Sequence, residues 1–204
     1  MITRKFFRRD GLDMELLKQK ILECGTALNE HVLLVDSFLN HQVDVNLMLE
    51  IGREFAKRFA DAGITRVATI EASGIAPAAM TALEMNVPMV IMKKSTSSIL
   101  KEGVLQTEVF SFTKNSSYQL TLKTQFIRKG DRVLLIDDFL ANGEAGLGAT
   151  KLLEQAGAQV AGIGIVIAKA FQPGLKKLRE AGYRVEALAP VKRMSPDYIE
   201  FGEE

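Results

Sequence analysis

From Val133 to Ala145 the chain reads Val-Leu-Leu-Ile-Asp-Asp-Phe-Leu-Ala-Asn-Gly-Glu-Ala, and few folds accommodate that order. Val133 to Ile136 form an unbroken apolar run of the kind found in a buried parallel strand. Asp137 and Asp138 follow where such a strand should emerge from its sheet. Ala141-Asn142-Gly143 then makes a small-residue turn, and a helix is expected over 144–155. Open α/β sheets bind ligands just beyond the carboxyl ends of their strands. A turn that opens a helix offers an anion both N–H groups and the positive end of the helix dipole. An acid pair beside an anion cradle points to a ligand with hydroxyls and a phosphate. The plainer alternative is a strand and a capped helix with the two acids merely solvated.

The rest of the chain repeats the alternation. Leu17, Ile21 and Cys24 share one face of a short helix expected over 13–23, and 32–35 is a brief apolar run that could form a strand. Asp44 has the chemistry of an N-cap. Met48, Ile51, Phe55 and Phe59 recur at helical spacing behind it, which predicts a helix over 45–60. A strand at 66–70 ends in Glu71-Ala72-Ser73-Gly74, a helix runs on to about Met85, and a strand at 87–92 ends in Lys93-Lys94. The segment 95–107 is polar, without period, and long for a connection, so it reads as a linker or a lid. Alternating residues at 108–113 and 118–124 predict a hairpin. A strand at 159–168 ends in Lys169-Ala170-Phe171, Pro173-Gly174 opens a last helix, and 183–188 completes the sheet. Strand–helix alternation throughout predicts an α/β fold with a mainly parallel sheet. Three strands would then end on one edge in polar groups: Glu71-Ser73, Lys93-Lys94 and Asp137-Asp138.

Composition narrows the function classes. With 204 residues, 47% of them apolar, one substantial core is expected. A formal net charge of +1 supplies no global field toward nucleic acid or anionic lipid, so a polyanionic ligand must be held by local charge. Cys24 is the single cysteine, which excludes an intrachain disulfide and fits a reducing, cytoplasmic setting. His31 and His41 are the only histidines, and no spacing suggests a zinc site. Arg4, Lys5, Arg8 and Arg9 surround Phe6 and Phe7 without a following apolar stretch, unlike a secretory signal. Residues 1–13 are expected to be a disordered extension, with one domain over 14–204.

Two phosphate motifs fail in context. Gly143 to Thr150 nearly spells a P-loop, but the lysine that should precede Thr150 is missing. Gly162-Ile163-Gly164 lies inside an expected strand and lacks the third glycine of a dinucleotide site.

The acid pair, the short loop behind it and Lys169-Ala170-Phe171-Gln172-Pro173-Gly174 together resemble the type I phosphoribosyltransferase family, and within it the branch that acts on xanthine. The resemblance spans about Met14 to Leu188. It implies a central sheet flanked by helices, with a small hood and a flexible loop and hairpin. It also implies transfer of ribose 5-phosphate from 5-phospho-α-D-ribose 1-diphosphate to a purine, with Mg2+ bound alongside that donor. By the same resemblance Asp137 and Asp138 face the ribose hydroxyls, and Ala141, Asn142, Gly143, Glu144 and Ala145 wrap the 5′-phosphate. Glu71, Ser73, Gly74, Lys93 and Lys94 serve the pyrophosphate, while Leu33, Asn40, Lys169 and Phe171 form the xanthine pocket. The loop departs from the family, which mostly carries threonines where this chain has Ala141, Asn142 and Ala145. Some relatives also place a carboxylate at the position of Ala141 as a base toward the purine; here Glu144, Asp138, an already ionised purine or no base at all remain open. A basic residue reaching a neighbour's site makes a homodimer the implied assembly. Rival readings are a relative preferring adenine or hypoxanthine and guanine, and a regulator that senses the donor without turnover. Only about thirty residues precede Leu33, too few for a separate DNA-binding module.

Overall fold

The computed structural model describes residues 14–95, 102–111 and 115–202. The extension expected at 1–13 and the middle of the loop expected at 95–107 lie outside them. Helix α1 (Glu15–Cys24) leads into a two-stranded hood, β1 (Thr26–Ala27) and β2 (Leu33–Leu34), and a π-helical turn over Asp36–Asn40. Then follow α2 (Val45–Arg58), β3 (Arg66–Ile70), α3 (Ile75–Met85) and β4 (Met89–Ser95). The hairpin β5 (Val104–Ser111) and β6 (Ser116–Lys123) precedes β7 (Arg132–Leu140), α4 (Glu144–Gln155) and β8 (Gln159–Lys169). Helix α5 (Gly174–Glu180), β9 (Val185–Ser195) and β10 (Tyr198–Phe201) complete the described chain.

Eight strands form one sheet in the order β10-β9-β8-β7-β3-β4-β6-β5. The five from β9 to β4 are parallel; β10, β6 and β5 run against their neighbours. Asp44 caps α2 by accepting from the Leu47 N–H at 3.1 Å. The sheet separates two apolar cores, because successive strand residues face opposite sides. Val67 and Leu134 pack with Met48, Ile51 and Phe55 of α2 on one side. Ala68 and Leu135 pack with Leu152 and Leu153 of α4 on the other. Gly162 and Gly164 have a packing role: a Cβ at either would overlap the Phe59 or Phe55 ring lying flat on β8.

Several boundaries differ from expectation. Strand β7 does not stop before the acids but continues through Asp137, Asp138 and Phe139 to Leu140. The long apolar β8 supplies hydrogen-bond partners past that point, pairing Asp137 with Ile165 and Phe139 with Ile167. Strand β4 likewise runs on through Lys93 and Lys94, because β6 pairs antiparallel with them. Strand β5 begins at Val104, so the aperiodic segment is shorter than 95–107, and Ser116 and Ser117 belong to β6 rather than to the turn. Strand β9 extends beyond 188 to Ser195, and β10, unforeseen, pairs along its outer edge. Pairing on both sides of β9 carries it past Pro190 and Lys192-Arg193.

At the edge opposite the acid pair, Asp131 ties three strands together. Its carboxylate accepts from Thr65 Oγ1 at 3.0 Å, Arg66 Nε at 2.8 Å and the Arg128 N–H at 2.8 Å, while its carbonyl accepts from Gln159 N at 2.8 Å. Burial alone would raise its pKa, but the Arg128 N–H, Arg66 and Thr65 hold it below the usual carboxylate range. A depressed folded pKa stabilises the fold above the unfolded value and ceases to do so as pH falls through the folded one. Asp131→Ala should therefore cost about 2–3 kcal/mol in urea unfolding at neutral pH. The gap to the unsubstituted chain should narrow in acid; a gap independent of pH would contradict this assignment.

Candidate active site

The order of the sheet creates a crevice. From β3 the chain crosses through α3 to β4 on one side, then returns through the hairpin to β7 on the other, so connections diverge at the carboxyl ends of β3 and β7. The last β3–β7 pair is Thr69 with Ile136. Beyond it β3 turns away through Glu71–Gly74 while β7 continues, leaving Asp137 and Asp138 beside the gap. A Cβ on Gly74 would lie 3.2 Å from Asp137 Oδ1 and collide with Thr69 Oγ1, so only glycine lets this turn approach the acid so closely. The Asp138 N–H donates to Asp137 Oδ1 at 3.1 Å.

Protein packs around Asp137 on every side except the cavity. Burial first, and the neighbouring Asp138 charge second, push its pKa well above the carboxylate range, while Lys94 acts in the opposite direction. Tyr118 of the hairpin faces the same space; burial and the Asp137 charge push its hydroxyl up to about 12. Lys94 Nζ lies 5.4 Å from the Tyr118 ring centre. The exposed edge of the site is cationic: Glu71 accepts from Lys93 Nζ and from the Lys94 N–H, each at 2.7 Å. Burial would raise Glu71, yet these two donors bring it below its usual value. The Glu71 carboxylate is thus committed to orienting the lysines.

A cavity of about 270 Å³ joins these parts. Glu71, Ser73, Lys94, Asp137, Asp138 and all of Ala141, Asn142, Gly143, Glu144 and Ala145 line it. Gly143 has φ +89°, which turns the chain into α4, and Gly174 of α5 packs directly behind it. The Gly174 N–H donates to the Ala141 carbonyl at 3.0 Å, bracing the turn from outside. Glu144 is held by Lys177 at 2.6 Å, so its carboxylate is turned to that lysine.

The expected base-pocket residues do not line this cavity. Lys169, whose pKa is lowered by burial, donates to the His31 carbonyl of the hood and lies 5.7 Å from the Phe139 ring centre. Phe171 is partly exposed, its ring 6.4 Å from that of His31. Asn40 is exposed at the end of the π-helical turn. Leu33, at 6% exposure, is buried in β2 of the hood and packs in the core. Phe139 and Tyr118 are among the lining residues that the sequence alone did not assign to the site. Phe139 lines the cavity and lies beside Lys169, so it links the two halves of the site; its place directly after the acid pair was the available signal. Tyr118 had been read only as part of a covering hairpin; its alternation within β6 was the available signal.

A phosphoribosyl transferase domain model matches residues 43–184. The xanthine phosphoribosyltransferase of Clostridium acetobutylicum is 59% identical over 188 residues, covering 92% of this chain and all of that protein. A protein of the same description from an Exiguobacterium species is 55% identical over 190 residues, covering 93% and 98%. The crystal structure of adenine phosphoribosyltransferase from Thermoanaerobacter pseudethanolicus superposes with TM-score 0.71 at 23% identity, over 84% of this chain and 98% of that one, a likeness of fold alone.

The raised pKa of Asp137 has a consequence for stability. Folding takes up a proton where the unfolded acid is already ionised, so its burial becomes costlier as pH rises from about 4 toward the raised folded value. Asp137→Asn should therefore increase stability at neutral pH, by on the order of 1 kcal/mol given the open cavity face, with the gain vanishing near pH 4. Urea unfolding at both pH values measures this, and a destabilised variant at neutral pH would contradict it.

Proposed function

The chain belongs to the phosphoribosyl transferase family, and on that premise we propose that it is a xanthine phosphoribosyltransferase of purine salvage. It moves ribose 5-phosphate from 5-phospho-α-D-ribose 1-diphosphate to xanthine, giving xanthosine 5′-monophosphate and pyrophosphate. The strongest support is one cavity in which the acid pair, the loop at 141–145 and Lys94 converge. The identity of more than half to the xanthine enzymes above supports the choice of base.

In this reading Asp137 and Asp138 accept hydrogen bonds from the ribose hydroxyls. The N–H groups from Ala141 to Ala145 and the Asn142 side chain hold the 5′-phosphate at the N-terminus of α4. Ser73, Gly74 and Lys94 receive the departing pyrophosphate, with Lys93 at the rim. The bond from the anomeric carbon to pyrophosphate breaks as a bond to a purine nitrogen forms, with oxocarbenium character between. Lys169 meets the electron-rich carbonyl edge of xanthine, while Phe171 and Phe139 cover the ring and Asn40 adds a polar contact. Leu33 adds an apolar contact to the purine from the hood. Glu144 pairs with Lys177 at 2.6 Å.

Among the described residues no cluster of three or more His, Cys, Asp or Glu side chains could cage a metal. Two carboxylates at one strand end suit an ion that arrives on the donor's own oxygens. Magnesium bound in this way would neutralise charge on the leaving pyrophosphate. The same reading makes residues 14–204 one domain and the protein a cytoplasmic homodimer, with Lys93 available to a neighbouring site. Among the described residues no helix is long and apolar enough to cross a membrane.

Pyrophosphate release should require magnesium and be fastest with xanthine when xanthine, guanine, hypoxanthine and adenine are offered separately. A preference for another base would overturn the pocket, and donor binding without release from any base would favour a sensor. Sedimentation of the same preparation should give a dimer; a monomer would contradict the assembly.

A further inference from the structure

Glu144 presents a physical conflict. Its N–H belongs to the turn that receives the 5′-phosphate, yet Glu144 lines the same cavity, where an unanswered carboxylate would repel a phosphate dianion. Helix α5 answers that charge. Lys177 Nζ donates to Glu144 Oε1 at 2.6 Å across 33 positions of sequence. The helix is fixed to the loop on either side of this pair. Gly174 N–H donates to the Ala141 carbonyl, and Leu178 packs where a Cβ on Gly146 would touch it at 3.4 Å. The ammonium therefore meets the carboxylate from a braced position and not as a freely swinging surface chain.

We propose that Lys177 is a positioning residue of the phosphate loop. By pairing with Glu144 it keeps that carboxylate turned from the cavity and neutralised, so the N–H groups at 141–145 meet the 5′-phosphate without an opposing charge. The proposal rests on the phosphate-binding role given above to this loop. A simpler alternative is an acid complementing the α4 dipole with an incidental surface partner. The two are separable because a half-exposed pair contributes little to stability, whereas the positioning role acts on one ligand only.

The test measures ribose 5-phosphate binding by calorimetry, without turnover, beside steady-state kinetics. Lys177→Met should weaken ribose 5-phosphate, and raise KM for the donor, by about tenfold. The kcat, KM for xanthine and unfolding midpoint should stay nearly unchanged. Lys177→Arg should retain binding within about twofold, since the charge and reach remain. Adding Glu144→Gln to Lys177→Met should restore most of the lost affinity, because the carboxylate in need of neutralising is gone. Unaltered binding in Lys177→Met, no recovery in the double variant, or a loss that follows the unfolding midpoint would each overturn the proposal. If the unsubstituted chain binds ribose 5-phosphate but releases no pyrophosphate from 5-phospho-α-D-ribose 1-diphosphate with any purine, the enzymatic reading fails and the loop assignment stands. If it does not bind ribose 5-phosphate, both fall.

Discussion

Two adjacent carboxylates cannot occupy the end of a buried strand without something to answer their charge. Asp137 is surrounded by protein on all sides but one, and Asp138 adds a like charge beside it. The described chain supplies one partial answer, the Lys94 ammonium from the neighbouring strand end. Otherwise the open side is left to a ligand with hydroxyl donors and a counter-charge. Much of the surrounding structure follows from holding this arrangement in place. The glycine at 74 lets the first turn approach, β8 carries β7 past the end of β3, and α5 braces the loop that follows.

The two ends of the sheet serve opposite purposes. At the amino ends Asp131 is fully satisfied by Thr65, Arg66 and Arg128, and its pKa is depressed; that end fixes register. At the carboxyl ends Asp137 is underserved and its pKa is raised; that end opens on the cavity. The same residue type carries opposite shifts because protein donors answer the charge at one site, while burial and a like charge prevail at the other. Helix α5 connects the two halves of the site: it leaves the Lys169–Phe171 strand end and reaches the loop within a few residues.

The parallel strands and the helices packed on them were legible because their apolar periodicity is strong and their ends carry glycine or polar residues. The acid pair and the loop at 141–145 were legible for the same reason, since one segment encodes both. What escaped the sequence depends on neighbours distant in the chain. The continuation of β7 to Leu140 requires β8, and that of β4 through two lysines requires β6. Strand β10 is visible only once β9 offers it an edge. The burial of Leu33, whose place in the pocket rested on the resemblance, is set by core neighbours distant in the chain. Lys177 carried no local sign at all, since its partner lies 33 residues upstream.

The central claim is that the ligand, not the protein, completes the acid pair. Carboxyl carbon NMR of the labelled chain, titrated with and without 5-phospho-α-D-ribose 1-diphosphate and magnesium, tests it most directly. Asp137 should titrate well above the usual carboxylate range in the free protein and move down when the donor is bound. An Asp137 that titrates in the ordinary range when free, or does not respond to the donor, would contradict the account.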